Sequence, residues 1–97
     1  MIRQDIYIPA GQTVQVKSDL YGLLCIRDES KGNTAIYSLN NGNYALEKIM
    51  GFTFPGKDNP DTFNIYYEYN SSGGLGNLGL YLQNLASSQR HIKYSIL

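Results

Sequence analysis

The stretch Thr62-Phe63-Asn64-Ile65-Tyr66-Tyr67-Glu68-Tyr69 decides the fold class. Aromatic and β-branched residues fill it, and such residues suit a pleated, half-buried surface. Successive side chains of an extended chain point to opposite faces. Phe63, Ile65, Tyr67 and Tyr69 then share one face, which predicts burial, while Asn64, Tyr66 and Glu68 share the other. Tyr66 is expected to point outward between two polar neighbours. No long helix competes with this pattern: the best helical window, Tyr44 to Met50, is too short to stand without strong tertiary support.

Downstream, Asn70–Asn77 (NSSGGLGN) is rich in Gly and Ser and reads as a flexible connector. Gly79–Asn84 follows as a strand, then the polar turn Ala86–Gln89, then Arg90–Ile96. In that last strand Ile92, Tyr94 and Ile96 lie on one face, with Lys93 and Ser95 on the other. Upstream, Pro55–Asp61 is a loop with two prolines and a glycine, preceded by a fifth strand at Tyr44–Met50. Asn40-Asn41-Gly42-Asn43 is a hairpin signal after the strand Ala35–Leu39. Gly22–Asp28 is apolar on both faces in its middle, which predicts a central strand covered on both sides. Thr13–Lys17 alternates strictly, and Gln4–Ile8 stops at the turn Pro9-Ala10-Gly11.

Eight short strands at this spacing predict an all-β, antiparallel β-sandwich, jelly-roll-like, with residues 1–97 as one domain. An up-and-down barrel of the same strand number fits the pattern equally well. Nine Tyr and ten Gly in 97 residues agree with a sheet protein punctuated by tight turns.

Eight basic and eight acidic residues give zero formal net charge, which argues against nucleic acid and against an anionic membrane surface as partners. No apolar run approaches the roughly 18 residues of a membrane span. Met1–Asp5 lacks the apolar core of a secretion signal, so no signal peptide is expected. A single cysteine, Cys25, rules out an internal disulfide framework and an all-cysteine metal site.

Residues capable of chemistry are few. His91 is the sole histidine, no Gly-x-Ser-x-Gly elbow accompanies it, and it is expected to face away from Ile92 as a solvated or interface residue. Cys25, between Leu24 and Ile26, is expected to behave as a small buried hydrophobe. Asp58-Asn59-Pro60-Asp61 reads as turn chemistry, with a weak calcium loop as the alternative, although its spacing is not that of an EF-hand. Asp28 and Glu29 are adjacent and point to opposite faces, so they do not converge on one bond. Gly73-Gly74-Leu75-Gly76 lacks the Lys and Ser/Thr of a phosphate loop. The chain is therefore expected not to be an enzyme and to need no cofactor. The candidate partner-binding residues are Tyr66, Asn64 and Glu68, since aromatic and amide groups together serve protein interfaces and sugar stacking.

The order of Gly22-Leu23-Leu24-Cys25-Ile26-Arg27-Asp28, Ala35-Ile36-Tyr37, Asn64-Ile65-Tyr66-Tyr67, Leu80-Tyr81-Leu82-Gln83-Asn84 and Ile92–Ile96 resembles small β-sandwich domains of phage virion proteins, notably at the C-terminal ends of tail-fibre and other appendage chains. The likeness runs from Tyr21 to Leu97 and rests on a rhythm of strands and turns. It implies a phage or prophage structural protein that acts through protein–protein contacts and touches other virion proteins or the host surface. It also implies a homo-oligomer, with a trimer favoured, located in the virion and made in the host cytoplasm. A small lectin-like module binding cell-surface glycans is the alternative.

Overall fold

The structure, a computed structural model, describes residues 2–16, 21–40, 45–69 and 78–97. The connector expected at Asn70–Asn77 and the Asn41–Asn43 part of the hairpin signal lie outside the described residues. Eight strands are present: β1 (Ile2–Ile8), β2 (Thr13–Val16), β3 (Tyr21–Asp28), β4 (Asn33–Asn40), β5 (Ala45–Gly51), β6 (Phe63–Tyr69), β7 (Leu78–Asn84) and β8 (Arg90–Ile96). Five form one antiparallel sheet in the order β1-β8-β3-β4-β5, and three form a second in the order β2-β7-β6. The fold is thus an all-β sandwich, and the separation into two sheets excludes the up-and-down barrel. A long eight-strand hairpin rolled up on itself would pair β1 with β8, β2 with β7, β3 with β6 and β4 with β5. Here β3 pairs with β4 and β8, and β6 with β7, so the rolled pattern is incomplete.

The alternation read from the sequence orients the strands. Ile92, Tyr94 and Ile96 of β8 point inward, as do Phe63, Ile65 and Tyr67 of β6. They meet Ile8, Leu24, Ile26, Leu39, Val16, Leu80 and Leu82 in one core. Full burial of each such aliphatic side chain contributes about 1.5–3 kcal/mol before entropy is subtracted.

At the other end of β5, Gly51 adopts φ 96°, and a Cβ built there would lie 2.3 Å from the Thr34 carbonyl oxygen. Only glycine lets the chain turn off the sheet at that approach. The Phe52 N–H then donates to the same Thr34 oxygen at 2.9 Å. The segment 52–62 crosses from the five-stranded to the three-stranded sheet. Phe54 is buried, its N–H donates to the Tyr37 hydroxyl at 3.3 Å, and its ring meets Phe63 edge-on with centroids 5.7 Å apart. The Ile65 N–H donates to the Pro55 carbonyl at 2.9 Å, so this segment covers part of the outer edge of β6.

Asn84 binds the two layers at one corner. Its buried side-chain amide donates to the carbonyls of Ile8 (2.8 Å) and Ser88 (3.0 Å), and its oxygen accepts the Ala86 N–H at 3.0 Å. The Gly11 N–H and the Gln12 carbonyl bond its main chain.

The double-sided cover expected for β3 is corrected by the structure. Leu24 and Ile26 are buried in the core, whereas Leu23 is exposed and Cys25 half-buried on the outer face. The apolar middle of β3 does not reflect a third layer among the described residues. It belongs to an apolar strip on the sheet's outside.

Candidate contact surface

The strand registers define that outside. Across β1, β8, β3 and β4 one row reads Asp5, Lys93, Arg27, Thr34. The next reads Arg3, Ser95, Cys25, Ile36 and, on β5, Met50. Beyond it Leu97 meets Leu23, its N–H donating to the Leu23 carbonyl at 2.9 Å. The face is therefore divided. Leu97, Leu23, Cys25, Ile36 and Met50 form a diagonal apolar strip, and Arg3, Asp5, Lys93 and Arg27 form a charged band beside it.

The charged band is internally organised. Arg27 Nε donates to Glu29 at 2.9 Å and its NH1 donates to the Thr34 hydroxyl at 2.8 Å. Lys93 reaches Glu29 at 4.0 Å. These pairs are solvent-exposed, so they add specificity more than stability. A groove of about 430 Å³ runs over this part of the face, with Arg3, Cys25, Arg27, Lys93 and Ser95 among its walls. His91, on the outer face opposite Ile92, contacts Asp5 through Nε2 and stacks on Tyr7 with centroids 4.2 Å apart.

β5 closes the sheet on that side as an edge strand. Ile49 (55%) and Met50 (59%) are exposed on it and Phe52 (42%) just past its end, next to a register shift opposite Ile36 and Tyr37. Lone exposed apolar residues are ordinary, but these three together form one exposed apolar patch continuous with the strip on the face.

The second face is the outside of the three-stranded sheet, where Tyr66 and Glu68, two of the three residues picked from sequence, lie part-exposed. Tyr66 and Tyr81, opposite each other in the β6–β7 ladder, stack with centroids 5.1 Å apart and planes 9° off parallel. Lys57 lies 5.5 Å from the Tyr66 centroid and bonds both Glu68 oxygens at 3.1 Å. The Glu68 hydrogen bond, then its charge, holds the Lys57 ammonium above its usual range. Partial burial, then the Glu68 carboxylate, raises the Tyr66 phenol.

Asn64 does not join that surface. It lies on the outer side of β6, as the alternation requires, yet it is fully buried beneath the 52–62 segment. Its amide donates to the Asn59 carbonyl at 2.9 Å and to Gln83 Oε1 at 3.0 Å, and its oxygen accepts the Thr62 hydroxyl. Gln83 also donates to Asp58 Oδ1 at 2.9 Å and accepts the Asp58 N–H at 2.8 Å. Asn64 is a structural anchor for the loop, and the side chains that touch one another on this face are Tyr66, Tyr81, Lys57 and Glu68. Lys57 and Tyr81 were missed because only the register and the loop's path bring them to Tyr66. The outward alternation of Tyr81 between Leu80 and Leu82 was the one available signal.

Asp58 and Asp61 both adopt φ 63°, the turn chemistry expected of them, and the Asp58 carboxylate is engaged by Gln83. Among the described residues no three His, Cys, Asp or Glu side chains group as a metal site. Comparison with protein-family models, with curated proteins and with solved structures finds no match to this chain.

Proposed function

We propose that this chain is a contact module of a phage or prophage virion, a structural or appendage protein that works by protein–protein association. The observation that carries the reading is the apolar strip Leu97–Leu23–Cys25–Ile36–Met50, continuous with Ile49 and Phe52 on the open β5 edge and bordered by the charged band. An apolar centre with a polar rim is the usual anatomy of a protein interface. A second copy, in a trimer, or another virion protein covers it. The strand rhythm shared with tail-fibre sandwich domains supports the virion setting.

Size-exclusion chromatography with light scattering over a range of concentrations tests the association. Oligomers that dissociate on Met50→Glu or Leu23→Glu support the proposal, and a strict monomer at high concentration counts against it. Flanking tail, capsid or lysis genes would support the virion setting, and their absence would weigh against it.

A second reading, glycan binding, is favoured by one observation: the stacked, half-exposed Tyr66–Tyr81 pair next to the Glu68 carboxylate. Binding on a glycan array that disappears in Tyr66→Ala would support it.

A further inference from the structure

The two sheets end in the edge strands β1 and β5 of one and β2 and β6 of the other. An open edge invites a further strand, and folded proteins blunt such edges with bulges, shortness, cover or single charges. β2 has four residues, and the Pro55 carbonyl takes the Ile65 N–H at the outer edge of β6. β5 carries a register shift, and its Lys48 folds back onto the Gly51 carbonyl and the Thr53 hydroxyl. It therefore offers a partner its side chains more than its backbone. β1 differs. Its seven residues keep an unbroken register with β8 and contain no proline, glycine or lysine. No strand lies on its other side among the described residues.

The bonding pattern fixes what β1 presents. The Glu29 N–H donates to the His91 carbonyl and the Leu97 N–H to the Leu23 carbonyl, so the odd-numbered residues of β8 bond towards β3. Its even-numbered residues then bond Ile2, Gln4, Ile6 and Ile8, which directs the main-chain groups of Arg3, Asp5 and Tyr7 to the open side. Arg3 and Asp5 are exposed, opposite in charge and two residues apart on the outer face. We propose that β1 pairs antiparallel with β1 of a second copy of this chain about a two-fold axis at Gln4, joining two five-stranded sheets edge to edge. In that register Arg3 lies opposite the partner's Asp5 and Asp5 opposite the partner's Arg3, each pair exchanging both main-chain N–H···O bonds. Asp5 meets His91 through Oδ1, and its other carboxylate oxygen accepts from the partner's Arg3. Ile2 meets the partner's Ile6 on the inner face, where both are half-buried in the single chain. An axis centred on Arg3 or on Asp5 sets like charges opposite each other, which is unfavourable, so the charges choose the register. One patch serves both copies, as a two-fold contact requires. Arg3 and Asp5 are the outermost members of the charged band, and the pairing does not depend on the apolar strip.

The test is analytical ultracentrifugation of the full chain up to about 1 mM, beside Met50→Glu, which disables the apolar strip. Met50→Glu should keep a monomer–dimer equilibrium with a dissociation constant of order 100 µM, the weak affinity of a small interface. In that background Arg3→Asp and Asp5→Arg, both at exposed positions, should each weaken the dimer by about tenfold or more. The double reversal restores opposite charges and should bring the affinity back to within about threefold. Amide exchange at Asp5 should slow as the dimer forms, while Gln4 and Ile6, bonded within the chain, keep their rates. A Met50→Glu chain that stays monomeric overturns the pairing and leaves the strip standing. A dimer indifferent to the single reversals, a double reversal that stays dissociated, or unchanged exchange at Asp5 also overturns it. A wild-type chain that forms only the same dimer as Met50→Glu supports the pairing and counts against the strip alone.

Discussion

Replacing Asp28 with Asn should destabilise the fold more than any surface change. Asp28 is 1% exposed and Arg90 9%, and they meet at 2.5 Å from residues 62 apart in the chain. Breaking a buried pair by removing one partner costs about 3–5 kcal/mol, because the remaining charge is stranded in low dielectric. Asn keeps an oxygen for the Ser30 N–H, so the loss should fall near the lower end, about 3 kcal/mol. Domains of this size hold only about 5–15 kcal/mol in total. At about 4–8 °C per kcal/mol, Tm should fall by roughly 12–24 °C. The chain has nine tyrosines and no tryptophan, so urea unfolding is followed by tyrosine fluorescence and circular dichroism. The midpoint should drop with an unchanged slope, the mark of lost stability without altered compactness. The double variant Asp28→Leu with Arg90→Met should lie closer to wild type than either single change. A loss below about 1 kcal/mol in Asp28→Asn would refute the stranded-charge argument.

Asn84→Ala removes acceptor and donors from Ile8, Ser88 and Ala86 at once, and should cost about 3 kcal/mol in denaturant unfolding, with faster amide exchange at Ala86. Gly51→Ala should lower Tm by more than Gly11→Ala does. Both have positive φ, but a Cβ at 51 strikes the Thr34 oxygen at 2.3 Å, while a Cβ at 11 meets nothing within 4 Å. Ultraviolet titration should show Tyr37, Tyr66 and Tyr94 ionising above the usual tyrosine value of 10.0, chiefly through burial. The folded chain then retains phenolic protons that the unfolded chain has released. Stability from these groups is complete below pH 10.0 and is lost as pH rises through their folded values, so unfolding should begin on that alkaline side.

The inward face of β6 was legible because Phe63, Ile65 and Tyr67 alternate with polar residues, and a two-residue period admits only one arrangement. The same rule put Asn64 outside, which is correct for the strand. It could not show that residues 52–62 fold over it, since the Asn64–Gln83 and Gln83–Asp58 bonds join distant parts of the chain. For Leu23 and Cys25 the rule failed differently. An apolar outer face looks the same in sequence whether a third layer or a partner covers it. Arg90 gave no signal, because the buried charge is explained only by Asp28 across the β3–β8 boundary.

The Asn84 clasp lies at the end of the sandwich that holds Arg90, Asp28 and Phe63. Ile8, opposite Arg90 in the ladder, is bonded across to Asn84, which itself faces Phe63. The layers cannot hinge apart there without giving up several buried bonds together. Breathing of the sheets is therefore expected to start at the far end of the sandwich.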